Sequence, residues 1–194
     1  DINHIFIYPH LKLFKNTIYL ILLYTGMRGK CSNKQYQIMA EIVKENNYQN
    51  IVNIGVYQGA SIFPMAEICN GKIHCVDIWP VEEWKAAFIS GINERKLTNC
   101  IIHHMPSDEF FKSTREIIDF AFIDGNHSHQ VVKDDILGAI KCGAKDILCH
   151  DYKDHKQRPG KKFEVETAVN ELIEENIIDM IEEIEFMARI KPSL

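Results

Sequence analysis

The chain is poor in the features that announce a specialised environment. Its six cysteines (Cys31, Cys69, Cys75, Cys100, Cys142, Cys149) form no Cys-x-x-Cys pair, and several lie inside apolar runs, where a free thiol behaves as a small hydrophobe. That spacing argues against a disulfide scaffold and for a reducing, cytoplasmic compartment. No apolar run approaches the roughly 20 residues that a membrane span needs. The best stretch, TIYLILLY (Thr17–Tyr24), is short, follows Lys12 and Lys15, and is not followed by a small-residue cleavage site. It reads as a buried or partner-facing helix. An excess of positive charge is missing too: the net charge is −5 and the pI is near 6.0, so neither nucleic acid nor an anionic membrane is expected as a partner. No repeat or low-complexity tract occurs. Between Glu164 and Glu185 there are nine acidic residues and no basic one, the pattern of a solvated face rather than a binding tail.

What is present is 194 residues, 46% hydrophobic and 25% charged, enough for one domain with a full core. From Ile51 onward, short runs rich in Val, Ile and Phe alternate with stretches of helical spacing. Strands are expected at Ile51–Val56, Lys72–Ile78, Asn99–Met105, Ile117–Asp124 and Lys145–Asp151. Helices are expected around Ala60–Cys69, Val81–Ile89, Ser107–Glu116, Gln130–Lys141 and Phe163–Glu175, with one or two closing strands within Met180–Lys191. Strict alternation of this kind implies right-handed crossovers and a parallel, doubly wound α/β sheet. Ahead of it, residues 1–46 read as an N-terminal helical region, best defined at Asn33–Asn46, that lids the pocket, meets a second subunit or docks on its own sheet. Residues 47–194 are the expected catalytic domain.

In such a sheet, ligands bind at the carboxyl ends of the strands, near the point where strand order reverses. The first strand runs into NIGVYQGAS (Asn53–Ser61), with Gly55 and Gly59 spaced Gly-x-x-x-Gly. This is neither the Gly-x-Gly-x-x-Gly of a dinucleotide site nor a phosphate loop, which lacks its Gly-Lys-Ser/Thr. The second strand ends at Asp77, placed to accept hydrogen bonds from ribose hydroxyls or to cap a helix. Ser107 and Asp108 follow the third strand, where capping of the next helix is the simpler reading. The fourth and fifth strands end in FIDGNHSH (Phe122–His129) and LCHDY (Leu148–Tyr152). These bring Asp124, His127, His150 and Asp151 to one edge, for metal binding or for turn chemistry.

Together, IVNIGVYQGAS, VDIWP, IDGNHSHQVVKDDI, CHDY and VETAV resemble the class I S-adenosylmethionine-dependent methyltransferases. They are most similar to the branch containing the macrolide-sugar O-methyltransferases and cephalosporin-hydroxylase-like proteins. The resemblance spans Ile51 to about Val169. It implies a Rossmann-like sheet of about seven strands with helices on both faces. It places Asn53, Gly55, Gly59, Ser61, Asp77, Ile78, Ser107 and Asp124 around the cofactor, with Asp77 on the ribose and Ser107 near the adenine. It makes His127 the general base beside Asp124, and Asp124, His150 and Asp151 the ligands of a magnesium or manganese ion. Three positions depart from the family pattern: Asn53 replaces an acid, His129 a tyrosine, and His150 a carboxylate. A site with two carboxylates and one imidazole suits manganese or another transition metal better than magnesium.

The implied reaction is methylation of a hydroxyl on a small molecule or sugar, in a chain that self-associates through its N-terminal region. The basic stretch Tyr152–Phe163 hints at an acidic acceptor. Two competitors stand beside it: a methyltransferase-like binding module without catalysis, and a nicotinamide oxidoreductase, which the glycine spacing disfavours.

Overall fold

Strand residues of this chain alternate between two helical layers, and that alternation builds the molecule. The computed structural model describes residues 31–153 and 164–193. After α1 (Asn33–Asn46) the chain runs β1 (Asn50–Ile54), α2 (Ile62–Ala66), β2 (Lys72–Asp77), α3 (Glu82–Arg95), β3 (Cys100–His104) and α4 (Ser107–Ser113). It continues with β4 (Phe120–Ile123), α5 (His129–Lys141), β5 (Asp146–Cys149), α6 (Val165–Glu174), β6 (Ile178–Ile184) and β7 (Met187–Pro192). Ile51, Phe120, Phe122 and Leu148 point to one face and pack with α1, α2 and Phe88 of α3. Val52, Ile54, Ala121, Ile123 and Ile147 point to the other and pack with α4, α5 and α6. Successive strand residues face opposite sides, so a strand covered on both faces reads as an unbroken apolar run.

The seven strands are ordered β3-β2-β1-β4-β5-β7-β6. The first five are parallel, and β7 enters antiparallel between β5 and β6. Connections from β1 run to β2 on one side, while β4 pairs on the other, which makes the β1/β4 junction the switch point where such sheets bind ligands.

Most expected elements lie within a few residues of their observed limits. Helix α2 is shorter than Ala60–Cys69, because the turn after Gly59 occupies its first residues and the Asn70–Gly71 turn follows Cys69. Helix α3 is longer than expected, running on to Arg95. Helix α1 carries a Ser32 capping box and buries Tyr36, Met39, Ile42 and Val43 in the main core. Residues 33–46 thus form part of the domain's own packing. The Thr17–Tyr24 stretch and most of the basic Tyr152–Phe163 stretch lie outside the described residues, within which no helix is long and apolar enough to cross a membrane. The acidic tail is paired, not merely solvated: Glu171 and Glu175 meet Lys133, Glu182 meets Arg189, Glu183 meets Lys153, and Glu185 meets Lys34.

Candidate active site

The turn after β1 is shaped by its neighbours. Gly55 adopts φ +84, and a Cβ there would sit 2.2 Å from the Asp124 carbonyl oxygen across the switch point. Gly59, at φ +89, lies against the Phe88 ring, 2.3 Å from where its Cβ would be. Only glycine fits either place without displacing main chain or core. Asn53 is fully buried beneath this turn, donating to the Gly55 carbonyl at 2.9 Å and accepting from Ser61 Oγ at 3.1 Å. It holds the turn from below and does not border the cavity; a carboxylate would bring an extra buried charge here.

Asp77 fastens the same turn from the side. Its Oδ2 accepts from the amides of Val56 and Tyr57, both at 2.8 Å, and its Oδ1 accepts from the Trp79 amide at 2.7 Å. Tyr57 and Trp79 carry positive φ values of 54 and 32, and the Trp79 indole donates to the Tyr57 carbonyl at 2.8 Å. Backbone strain of this kind persists only where surrounding contacts hold it. Each carboxylate oxygen has two lone pairs, so Oδ1, with one donor, retains acceptor capacity for a hydroxyl.

The ends of β4 and β5 carry a different kind of site. Asp124 Oδ1 lies 3.2 Å from His127 Nε2 and 3.1 Å from His150 Nδ1. Asp151, held at φ +55, is 3.2 Å from His150 Nδ1 through Oδ1 and 3.8 Å from His127 Nε2 through Oδ2. Burial pushes the Asp124 carboxyl up, but the His150 charge and the two imidazole hydrogen bonds outweigh it and hold the group at about 2. Burial pushes His150 down, but the adjoining Asp124 carboxylate lifts it well above its ordinary range. His150 is only 2% exposed, with Cys31 Sγ at 3.3 Å and the Gln35 amide nitrogen at 3.2 Å from its Nε2.

Two sets of donor atoms gather within 4.8 Å: Asp124 with His127 and Asp151, and Asp124 with Cys31 and His150. Of the expected trio, Asp124 and Asp151 both lie beside His150 Nδ1, whose ring is buried against Cys31 and Gln35, and His127 is a second histidine near the two carboxylates.

Both regions open on one cavity of about 720 Å³. Gly55, Ser61, Asp77, Ile78, Ser107, Asp124 and His127 border it, as does Asp108. Ser107 is the first residue of α4, whose N-cap is Pro106 without a side-chain bond, so neither Ser107 nor Asp108 serves as the N-cap. His129 faces away, bonded to Glu171 on α6. Four residues in this region were not expected in these places. Cys31 and Tyr36 reach the cavity from the N-terminal side, Asp135 reaches it from α5, and Trp79 clamps the turn. Trp79 and Asp135 fall inside the family-like blocks; Cys31 carries no motif.

A parallel sheet with a reversed last hairpin and a cavity across its switch point is the architecture of the class I S-adenosylmethionine-dependent methyltransferases. The chain belongs to the methyltransferase domain family, whose pattern matches residues 52–152. Solved structures agree on the fold. An O-methyltransferase from Bacillus cereus bound to S-adenosylhomocysteine superposes with a TM-score of 0.68 at 13% identity, over 94% of this chain and 93% of that one. The O-methyltransferase TomG from Streptomyces achromogenes, in complex with S-adenosylmethionine, gives 0.69 at 11%, over 96% and 93%. An rRNA methylase from Streptococcus thermophilus also aligns, at 0.59 and 12%, over 87% and 100%. The shared fold therefore leaves the acceptor open. No curated protein sequence matches the chain.

Proposed function

We propose that the chain is an S-adenosylmethionine-dependent O-methyltransferase acting on a hydroxyl of a small molecule or sugar in the cytoplasm. The observation that carries this reading is the sharing of one cavity by the Asp77-clamped glycine turn and by Asp124 and His127, beside which Asp151 lies. When bound, the cofactor supplies an electrophilic methyl on a sulfonium, and a divalent ion lowers the pKa of an acceptor hydroxyl. The donor set fits such an ion: two carboxylates with an imidazole in reach suit manganese, and magnesium less well.

Asp124 and Asp151 are the residues that would hold the ion, and the His150 Nδ1–H, shared between them, orients both carboxylates from behind. His127, bordering the cavity, is the imidazole placed to take the acceptor's proton. The Asp124 carboxylate at 3.2 Å stabilises the resulting imidazolium. Asp77 keeps an acceptor position for a ribose hydroxyl. The net charge of −5 favours a small acceptor over RNA.

The test is methyl transfer from S-adenosylmethionine with Mn²⁺ to a panel of catechols, glycosides and sugar phosphates, read as a methyl mass gain on oxygen. Turnover on a hydroxylated acceptor, lost about 10³-fold in Asp124→Asn, is expected. Tight S-adenosylhomocysteine binding with no transfer to any acceptor would instead favour the binding-module reading. The self-association expected through the N-terminal region is checked by sedimentation with and without residues 1–30.

A further inference from the structure

Tyr36 lies in the first turn of α1, and its ring belongs to the core: it is 3% exposed and shares a cluster with Met39, Ile42 and Val43. The residue nonetheless borders the cavity, together with Cys31, Asp124 and His127. Its phenol oxygen accepts from the Cys31 main-chain amide and lies within the field of Asp124 and His150. A phenol that accepts one hydrogen bond still has its own proton to donate. Among the described residues, no acceptor for that proton is present. Buried tyrosine hydroxyls ordinarily find a partner, so this one is short of an acceptor where it meets the cavity.

The helix end that carries it is fixed. The Gln35 carboxamide oxygen accepts from the Ser32 amide at 2.6 Å in the capping box. That contact turns the Gln35 nitrogen towards the Glu185 carbonyl at 2.8 Å and His150 Nε2 at 3.2 Å. Lys34 pairs with Glu185 in the same β6–β7 turn. The start of α1 is thereby tied to the last hairpin and to the ionic centre, and it holds the phenol at the charged end of the cavity.

We propose that Tyr36 is a further acceptor-binding residue: its O–H donates to the oxygen that is to be methylated and stabilises the negative charge that oxygen gains as its proton leaves. This rests on the methyl-transfer reading above. The side chains bordering this end divide by hydrogen-bond sense. Asp124, as a carboxylate, can only accept, and His127 is committed to the acceptor's proton, which leaves the lone pairs of the oxygen to a neutral donor. Asn126 is exposed on its loop, whereas Tyr36 is buried and preset. Burial, followed by the Cys31 and Asp124 charges, raises the phenol above its ordinary range, so it stays protonated and able to donate. A donor fixed in advance on one lone pair of an oxyanion also sets how the remaining pairs point, and one of them must face the methyl.

The experiment uses 4-nitrocatechol, which changes colour when its hydroxyl ionises, as the probe of the acceptor position. Wild type and Tyr36→Phe are each saturated with S-adenosylhomocysteine and Mn²⁺, and the visible spectrum of the bound probe is followed against pH. In wild type the bound probe should ionise about one pH unit lower than in Tyr36→Phe, about a tenfold difference in ionisation, as expected of a hydrogen bond to a charged oxygen. Tyr36→Phe keeps the ring and its packing, so S-adenosylhomocysteine affinity should stay within about 3-fold and the melting temperature within about 2 °C. Equal ionisation midpoints would overturn the inference and leave Tyr36 a packing residue. So would a loss of S-adenosylhomocysteine affinity of about tenfold in Tyr36→Phe, which would put the phenol on the cofactor. A wild type that binds S-adenosylhomocysteine but leaves the probe's spectrum as it is in water would overturn it as well. A wild type that binds no S-adenosylhomocysteine removes the methyl-transfer reading itself.

Discussion

The two halves of the strand-end rim are built on different physics. At the ends of β1 and β2 the polar groups are already satisfied: Asp77 holds three amides, and Asn53 holds a carbonyl and a hydroxyl. What this half offers is shape, a fixed concave turn with spare acceptor capacity. At the ends of β4 and β5, two carboxylates and two imidazoles crowd together, and Asp124 and His150 shift each other's protonation. What that half offers is charge. Gly55 joins the halves, because its backbone lies against the Asp124 carbonyl with no room for a side chain. The comparison teaches that binding and chemistry should be separable by mutation, although the two halves share one cavity.

Three substitutions sharpen or break that separation. In the charged half, His127→Gln should lower turnover about 10²-fold or more while leaving S-adenosylhomocysteine affinity within about 3-fold. Loss of cofactor binding in that variant would mean that the halves are not independent. In the shaped half, Asp77→Ala strands three amides and should cost about 2–4 kcal/mol of stability, seen as a fall of roughly 5–15 °C in melting temperature. Cofactor affinity should drop with it, about 100-fold if the ribose bond is a charge-assisted one. A variant that melts like wild type would show that the clamp is not what shapes the turn. The smallest effect is expected outside both halves. His129→Tyr, the residue usual in the family, removes a partly exposed pair with Glu171 and should shift stability by less than about 1 kcal/mol with no change in either binding or turnover.

Acid stability offers a further check on the charged half. Asp124 is held at about 2, below its ordinary value of 3.8, so its contribution is present above about 4 and lost as pH falls through about 2. Asp124→Asn should flatten the melting profile in that window, and an unchanged profile would argue against the ion-pair geometry.

Much of the sheet was legible because buried parallel strands must be apolar on both faces. The runs around Ile51, Ile73, Phe120 and Ile147 are just that. The reversed hairpin was less so: β6 is half exposed, and its mixture of acidic and apolar residues over Ile178–Ile184 shows neither its partner nor its direction. The candidate site was legible at the level of which residues reach the rim, since strand ends can be read from sequence. How they divide the work was not. That both His127 and His150 stand beside the carboxylate pair depends on side-chain direction at two strand ends, and the burial of His150 depends on Cys31 and Gln35, which arrive from α1 and the residues before it. Likewise, the grip of Asp77 on three amides depends on positive φ at Tyr57 and Trp79, conformations that neither residue type announces.

The most direct measurement is sequential calorimetry on wild type, Asp77→Ala and Asp124→Ala, titrating S-adenosylhomocysteine first and Mn²⁺ second. Separable halves predict two heats in wild type. Asp77→Ala should lose the first and keep the second, and Asp124→Ala the reverse. Loss of both heats in either folded variant, or no S-adenosylhomocysteine heat in wild type, would contradict a cofactor turn and an ionic centre acting as distinct parts of one methyltransferase site.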